Sequence, residues 1–127
     1  MNYCNGKTKN LKMNDDTYKL RRQVINIIYD AKKMVFGIPR ITVRITENHK
    51  SMLGCAKIKG NILWITKRAI KDYTPTQLRA IVYHEILHAV YGIKHNENCP
   101  LMSSVINKNI TEEQCRDQFK YWLQKEE

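Results

Sequence analysis

Helical spacing at both ends of the chain, with strand-like alternation between them, predicts an α+β fold: an N-terminal helix, a small β-sheet, a central helix and a C-terminal helix. Three observations carry this. Leu20, Val24, Ile27, Ile28, Ala31 and Val35 recur at helical spacing. Ile41, Val43 and Ile45 alternate with polar residues, as in a half-buried strand. Thr74 and Thr111 are each followed three residues later by glutamine, the capping-box signature of a helix start. The chain has 127 residues, enough for one core and too few for two.

Taken in order, residues 1–13 are polar and rich in lysine and asparagine, and are expected to form a flexible arm ahead of a single domain over 14–127. Asp15 and Asp16 suit the start of the first helix, Lys32 and Lys33 its end, and Gly37 and Pro39 its stop. A strand over 41–46 and a loop over 47–54 follow. Ala56-Lys57-Ile58 and Ile62-Leu63-Trp64-Ile65, separated by Gly60-Asn61, read as a hairpin or a short pair of strands. In the central helix Thr74 is the N-cap, Pro75 suits the first turn and Gln77 completes the box, with Tyr73 and Leu78 as a hydrophobic staple. The last helix starts at Thr111, with Ile110 and Cys115 as its staple and Cys115, Phe119 and Trp122 as its apolar stripe.

The central helix carries the run His84-Glu85-Ile86-Leu87-His88, with Gly92 and His95 beyond it. Histidines four apart project from one helical face, the spacing at which two imidazoles can hold one zinc ion. Glu85 lies about 100° round the helix, placed to act on a water without being a ligand. A helical wheel puts Leu78, Val82, Ile86, Ala89 and Val90 opposite the histidines, so one side is expected in the core and the other in a cleft. A catalytic zinc takes three protein ligands, and His95 is the leading candidate for the third. An unbroken helix would carry His95 about 10 Å from His88 along the axis. The chain therefore has to bend back, and Gly92 supplies the left-handed stop. Glu97 and Cys99 are the fallback ligands.

This pattern resembles the zincin metallopeptidases, and the metzincins among them. Met102 in Cys99-Pro100-Leu101-Met102-Ser103 is similar to the methionine-containing turn beneath the zinc of matrixin-like enzymes. Here three residues, Ala89, Val90 and Tyr91, separate the second histidine from the glycine, one more than in metzincins. In that respect the chain is similar to SprT-like zincins. The resemblance implies a minimal zincin-like domain, with His84, His88 and His95 on Zn2+, Glu85 as general base, and Gly92 and Met102 as structural support. It implies a zinc metalloendopeptidase acting on a protein or peptide extended along a strand edge near Ile62 to Ile65. The alternatives are a non-catalytic zinc-stabilised module of a larger assembly, such as a virion, and a SprT-like protease acting on nucleic-acid-bound proteins.

Other residues receive blander readings. His49 reads as solvated surface, Trp64 as core, Tyr83 and Tyr91 as core or rim, and Met102 by itself as core filler. Four cysteines at 4, 55, 99 and 115 form no C-x-x-C pair, which suits reduced thiols. No apolar run approaches the roughly 18 to 20 residues of a membrane span, and none near Met1 suits a secretory leader, so a cytoplasmic or virion-associated protein without membrane partners is expected. Net charge is +10, from 22 basic and 12 acidic residues. Residues 1–71 hold 16 basic and four acidic residues, and 72–127 hold six and eight. A basic first half suits an acidic partner or nucleic acid, or serves solubility alone.

Overall fold

Asn14 opens the first helix: in the computed structural model, which describes residues 11–47, 52–57 and 59–125, its side chain accepts the Thr17 N–H at 3.0 Å. Helix α1 (Asp15–Met34) has Asp15 and Asp16 at its positive end and Lys32 and Lys33 at its negative end. Leu20, Val24, Ile27, Ile28 and Ala31 are its buried face. Val35, expected as part of that stripe, is the extended C-cap, and Gly37 follows in the left-handed region with φ +95°. Of the arm expected over 1–13, residues 11–13 are described. Leu11 packs on the core and donates its N–H to the Ile45 carbonyl at 2.9 Å.

Strands β1 (Thr42–Thr46), β2 (Gly54–Lys57) and β3 (Ile62–Thr66) form a sheet of order β1-β3-β2. β1 runs parallel to β3, and β2 pairs antiparallel with it as the expected hairpin. Lys59 and Asn61 take positive φ in the hairpin turn. β3 is central and bonded on both sides, so the expected open edge near Ile62 to Ile65 is not there; the edges belong to β1 and β2. Leu63 and Ile65 enter the core with Val43 and Ile45. Trp64, expected in the core, is half-buried on the other face, in register with Arg44 and Cys55. Cys55 is disulfide-bonded, against the expectation of reduced thiols, whereas Cys99 and Cys115 are free. Spacing along the chain does not reveal a pairing made by folding. Ile58 and His49 lie outside the described residues.

A short helix, α2 (Lys67–Lys71), unforeseen from the sequence, turns the chain out of the sheet; the Thr66 hydroxyl caps it by accepting the Ala69 N–H at 3.3 Å. Helix α3 (Pro75–Tyr91) starts with the expected capping box: the Thr74 N–H donates to Gln77 Oε1 at 2.9 Å and the Gln77 N–H to Thr74 Oγ1 at 3.1 Å. It packs against α1, α2, β2, β3 and α4 (Glu112–Lys125), and every residue from Ala80 to Ala89 is buried. The expected division into a core side and a cleft side holds only in part: His84 and Glu85 do line a cavity, but they are buried along with the apolar side. α3 is the central post of the fold, and its polar residues are enclosed with its apolar ones.

The capping box of α4 pairs Thr111 and Gln114 at 2.9 and 3.1 Å. Its buried stripe is Cys115, Phe119 and Leu123, with Trp122 half-buried beside it. Tyr83 is fully buried and stacks on Phe119 with ring centroids 4.4 Å apart. Arg79 clamps three helices, donating to Tyr83 Oη at 3.0 Å, Glu112 at 3.1 Å and Asp30 at 3.4 Å. No helix among the described residues is long and apolar enough to cross a membrane. Phe119→Ala is expected to cost about 3–5 kcal/mol in urea unfolding through the cavity it leaves. Tyr121→Ala, at an exposed position on the same helix, should stay within about 0.5 kcal/mol.

Candidate metal centre

The exit from α3 decides where the third histidine goes. Gly92 caps the helix in the left-handed conformation, φ 65° and ψ 23°. Its N–H reaches the His88 carbonyl at 3.1 Å, and the Ile93 N–H reaches Leu87 at 3.0 Å. The chain then folds back through tight turns. The Cys99 N–H donates to the Asn96 carbonyl, the Met102 N–H to Cys99 and the Asn96 N–H to Met102, at 3.0, 3.0 and 2.9 Å. Gln118 of α4 fastens this loop from outside, its Oε1 accepting the Leu101 N–H at 2.9 Å and the Cys99 thiol at 3.3 Å.

That path brings His95 against the helix pair. One ligand atom from each of His84, His88 and His95 lies within 4.8 Å of the others, close enough to hold a metal ion. Ring centroids are 4.6 Å apart for His84 and His88, 5.2 Å for His84 and His95, and 4.9 Å for His88 and His95. Backbone carbonyls set the rings. His84 Nδ1 is 2.7 Å from the Leu101 carbonyl and His88 Nδ1 is 2.5 Å from that of Ile93. A carbonyl can only accept, so each Nδ1 carries the proton and each Nε2 presents its lone pair. The two Nε2 atoms face each other at 3.0 Å. Two nitrogens bound at about 2 Å to one tetrahedral ion sit about 3.3 Å apart, so this pair nearly has a ligand geometry.

The fallback ligands are engaged elsewhere. Glu97 Oε1 accepts the Ser104 N–H at 2.9 Å, and Cys99 sits between Gln118 and the Trp122 indole N–H, 3.4 Å from its sulfur. Met102 is fully buried in the turn that follows, and its carbonyl anchors the segment carrying His95.

Glu85 is 2% exposed, and its Oε1 is buried with no hydrogen-bond partner among the described residues. It lines a cavity of about 300 Å³ together with His84, Leu53 and Gly54 of the sheet edge, Tyr73, Ala80, Ile81 and the loop from Pro100 to Ile110. Sequence reasoning missed Gly54, which it placed in a loop. It also missed the orienting carbonyls of Leu101 and Ile93, for which side-chain identity gives no signal.

Burial governs the charges. It lowers His84 to about 3, with His88 adding to the effect, and lowers His88 to about 4. His95 is also lowered, chiefly by burial. All three imidazoles are therefore neutral near pH 7, the form that binds metal. Burial acts the other way on Glu85 and raises its carboxyl well above the usual range. Comparison of the chain with family models, with curated proteins and with solved structures finds no match.

Two predictions follow from this geometry. Zinc titration of the metal-free protein should reach one equivalent, and His95→Ala should weaken binding by more than about 100-fold. The second concerns acid. Unfolded histidines protonate near pH 6.5 while folded His84 and His88 resist until about 3 and 4, so their contribution to stability is lost as pH falls below about 6.5. Glu85 works in the opposite sense, because its raised pKa favours the folded state at low pH and loses that contribution as pH rises. Urea unfolding of metal-free Glu85→Gln, which removes the opposing carboxyl, should show stability falling steadily from pH 6.5 to pH 4.

Proposed function

We propose that this protein is a zinc metallopeptidase of the zincin type, with His84, His88 and His95 as ligands and Glu85 as general base. The observation that carries the reading is a three-imidazole cluster one member of which, His84, lines a cavity together with the buried carboxyl of Glu85. A neutral nitrogen donor set suits zinc better than the oxygen-seeking magnesium or calcium. Bound there, zinc would acidify a water and polarise a substrate carbonyl. A purely structural site has no use for an enclosed carboxyl without a hydrogen-bond partner, which costs stability.

The chain's own groups supply the rest. Nδ1–H bonds to Leu101 and Ile93 hold the histidine rings and raise their basicity as ligands. Burial shifts Glu85 toward the neutral acid, and a cation's charge nearby would oppose that shift and favour the carboxylate that can work as a base. Glu85 would then take a proton from the attacking water and pass it to the leaving amine. The β2 edge beside the cavity, rather than the central β3, is the strand against which an extended peptide would pair. The walls given by Leu53, Ile81, Ile106 and Ile110 favour a large apolar side chain next to the scissile bond.

Digestion of casein or a peptide library, with cleavage sites read by mass spectrometry, tests this. Activity should vanish on chelation and return with zinc. Glu85→Gln should lower kcat by roughly 10²- to 10⁴-fold while keeping one equivalent of zinc. Undiminished hydrolysis by that variant would remove Glu85 from its role, and a zinc-loaded wild type that cleaves nothing in the library would remove the peptidase reading.

A further inference from the structure

Glu85 Oε1 has no hydrogen-bond partner among the described residues, so packing around the side chain's methylenes helps to decide where the carboxyl points. Part of that packing comes from β2. Its inward residues are Gly54 and Ala56, the two smallest side chains available, and α3 lies directly against them. Gly54 is not needed for its backbone freedom: the positive-φ glycines among the described residues are Gly37 and Gly92. Its use is space. A Cβ added at Gly54 would lie 3.1 Å from Ile65 Cδ1, 3.2 Å from the Trp64 carbonyl oxygen and 3.3 Å from Glu85 Cγ.

We propose that Gly54 is a positioning residue for Glu85, its bare α-carbon leaving the room in which the glutamate side chain lies and so setting where the carboxyl enters the cavity. The inference rests on the reading of Glu85 as the base and adds a residue on a different element to that machinery. The neighbours differ in what they can yield. The Trp64 carbonyl belongs to the central strand, between two partners, and cannot retreat. β2 cannot slide away either. Just before Gly54 the Leu53 carbonyl accepts the Thr66 N–H and hydroxyl, both at 2.9 Å, and the Met52 carbonyl accepts from Arg68 Nη2 at 3.3 Å. The side chains of Ile65 and Glu85 remain as the parts that must move. A methyl group at position 54 therefore displaces the glutamate by a few tenths of an ångström or more, at a site where misplacement of a reacting group is costly.

Gly54→Ala tests this in the zinc-loaded protein. On a peptide cleaved by the wild type, kcat should fall about tenfold with KM within about twofold, while zinc stoichiometry and thermal midpoint stay near wild type. Adding Ile65→Val removes the Cδ1 atom, lets the new methyl lean toward the vacated side and should restore most of kcat; the double variant also serves if the single one folds poorly. A crystal structure of Gly54→Ala should show the Glu85 carboxyl displaced, a readout that does not depend on turnover. Unchanged kcat, or an undisplaced Glu85, or a loss of rate that tracks loss of zinc and is not rescued by Ile65→Val, overturns the proposal. A wild type without hydrolysis defeats the peptidase reading instead, and leaves the displacement of Glu85 as the test of the geometry.

Discussion

Two hydrogen bonds from imidazole Nδ1–H groups to main-chain carbonyls hold the rest of the site in place. Leu101 and Ile93 accept them, and neither residue's side chain takes part. With each Nδ1 committed as a donor, the Nε2 lone pairs of His84 and His88 converge at 3.0 Å. Turn either ring over and a proton, not a lone pair, would face the cluster. The two carbonyls lie on opposite limbs of the loop that follows α3, one just past the glycine bend and one next to Met102. The fold of that loop therefore orients the helix-borne histidines as well as delivering His95.

The same loop explains why α4 matters to a site it does not touch. Gln118 receives the Leu101 N–H and the Cys99 thiol, so one side chain of α4 fixes the peptide segment whose carbonyl aligns His84. α4 is in turn seated by the Tyr83–Phe119 stack and by Arg79, which joins it to α1 and α3. A chain of ordinary packing contacts thus runs from the outer helix to the histidine nitrogens. Such supporting contacts commonly govern metal affinity nearly as strongly as the ligands themselves.

What was legible in the sequence was local. Thr74, Pro75, Gln77 and Gly92 announce the two ends of α3, because caps and left-handed stops depend on residues within one turn. The pairing of His84 with His88 is equally local, and the bend at Gly92 made His95 the natural third partner. What was missed depends on the rest of the fold. The helical wheel set His84, Glu85 and His88 on a cleft side, and His84 and Glu85 do line a cavity, yet the surrounding elements bury all three as deeply as the apolar side. Strand order is non-local, so β3 could not be recognised as central from its alternation. Trp64 looks like core by composition, but the pleat that sends Leu63 and Ile65 inward sends it outward. α2 is too short to show a period, and the disulfide at Cys55 has no spacing signature.

Enclosing α3 has an energetic consequence that sets this helix apart from a structural post. A buried imidazole tolerates burial when one nitrogen donates and the other faces a cation, and the histidines have that arrangement available. The Glu85 carboxyl does not, since its Oε1 has no partner among the described residues and burial drives it toward the neutral acid. An apolar residue at that position would relieve the cost and fill the same space beside Gly54. Natural sequences hold such local conflicts chiefly where function demands them. The helix is capped at both ends and closely packed, and its unresolved polar conflicts gather where Glu85 lines the cavity beside His84 and where the Nε2 atoms of His84 and His88 meet.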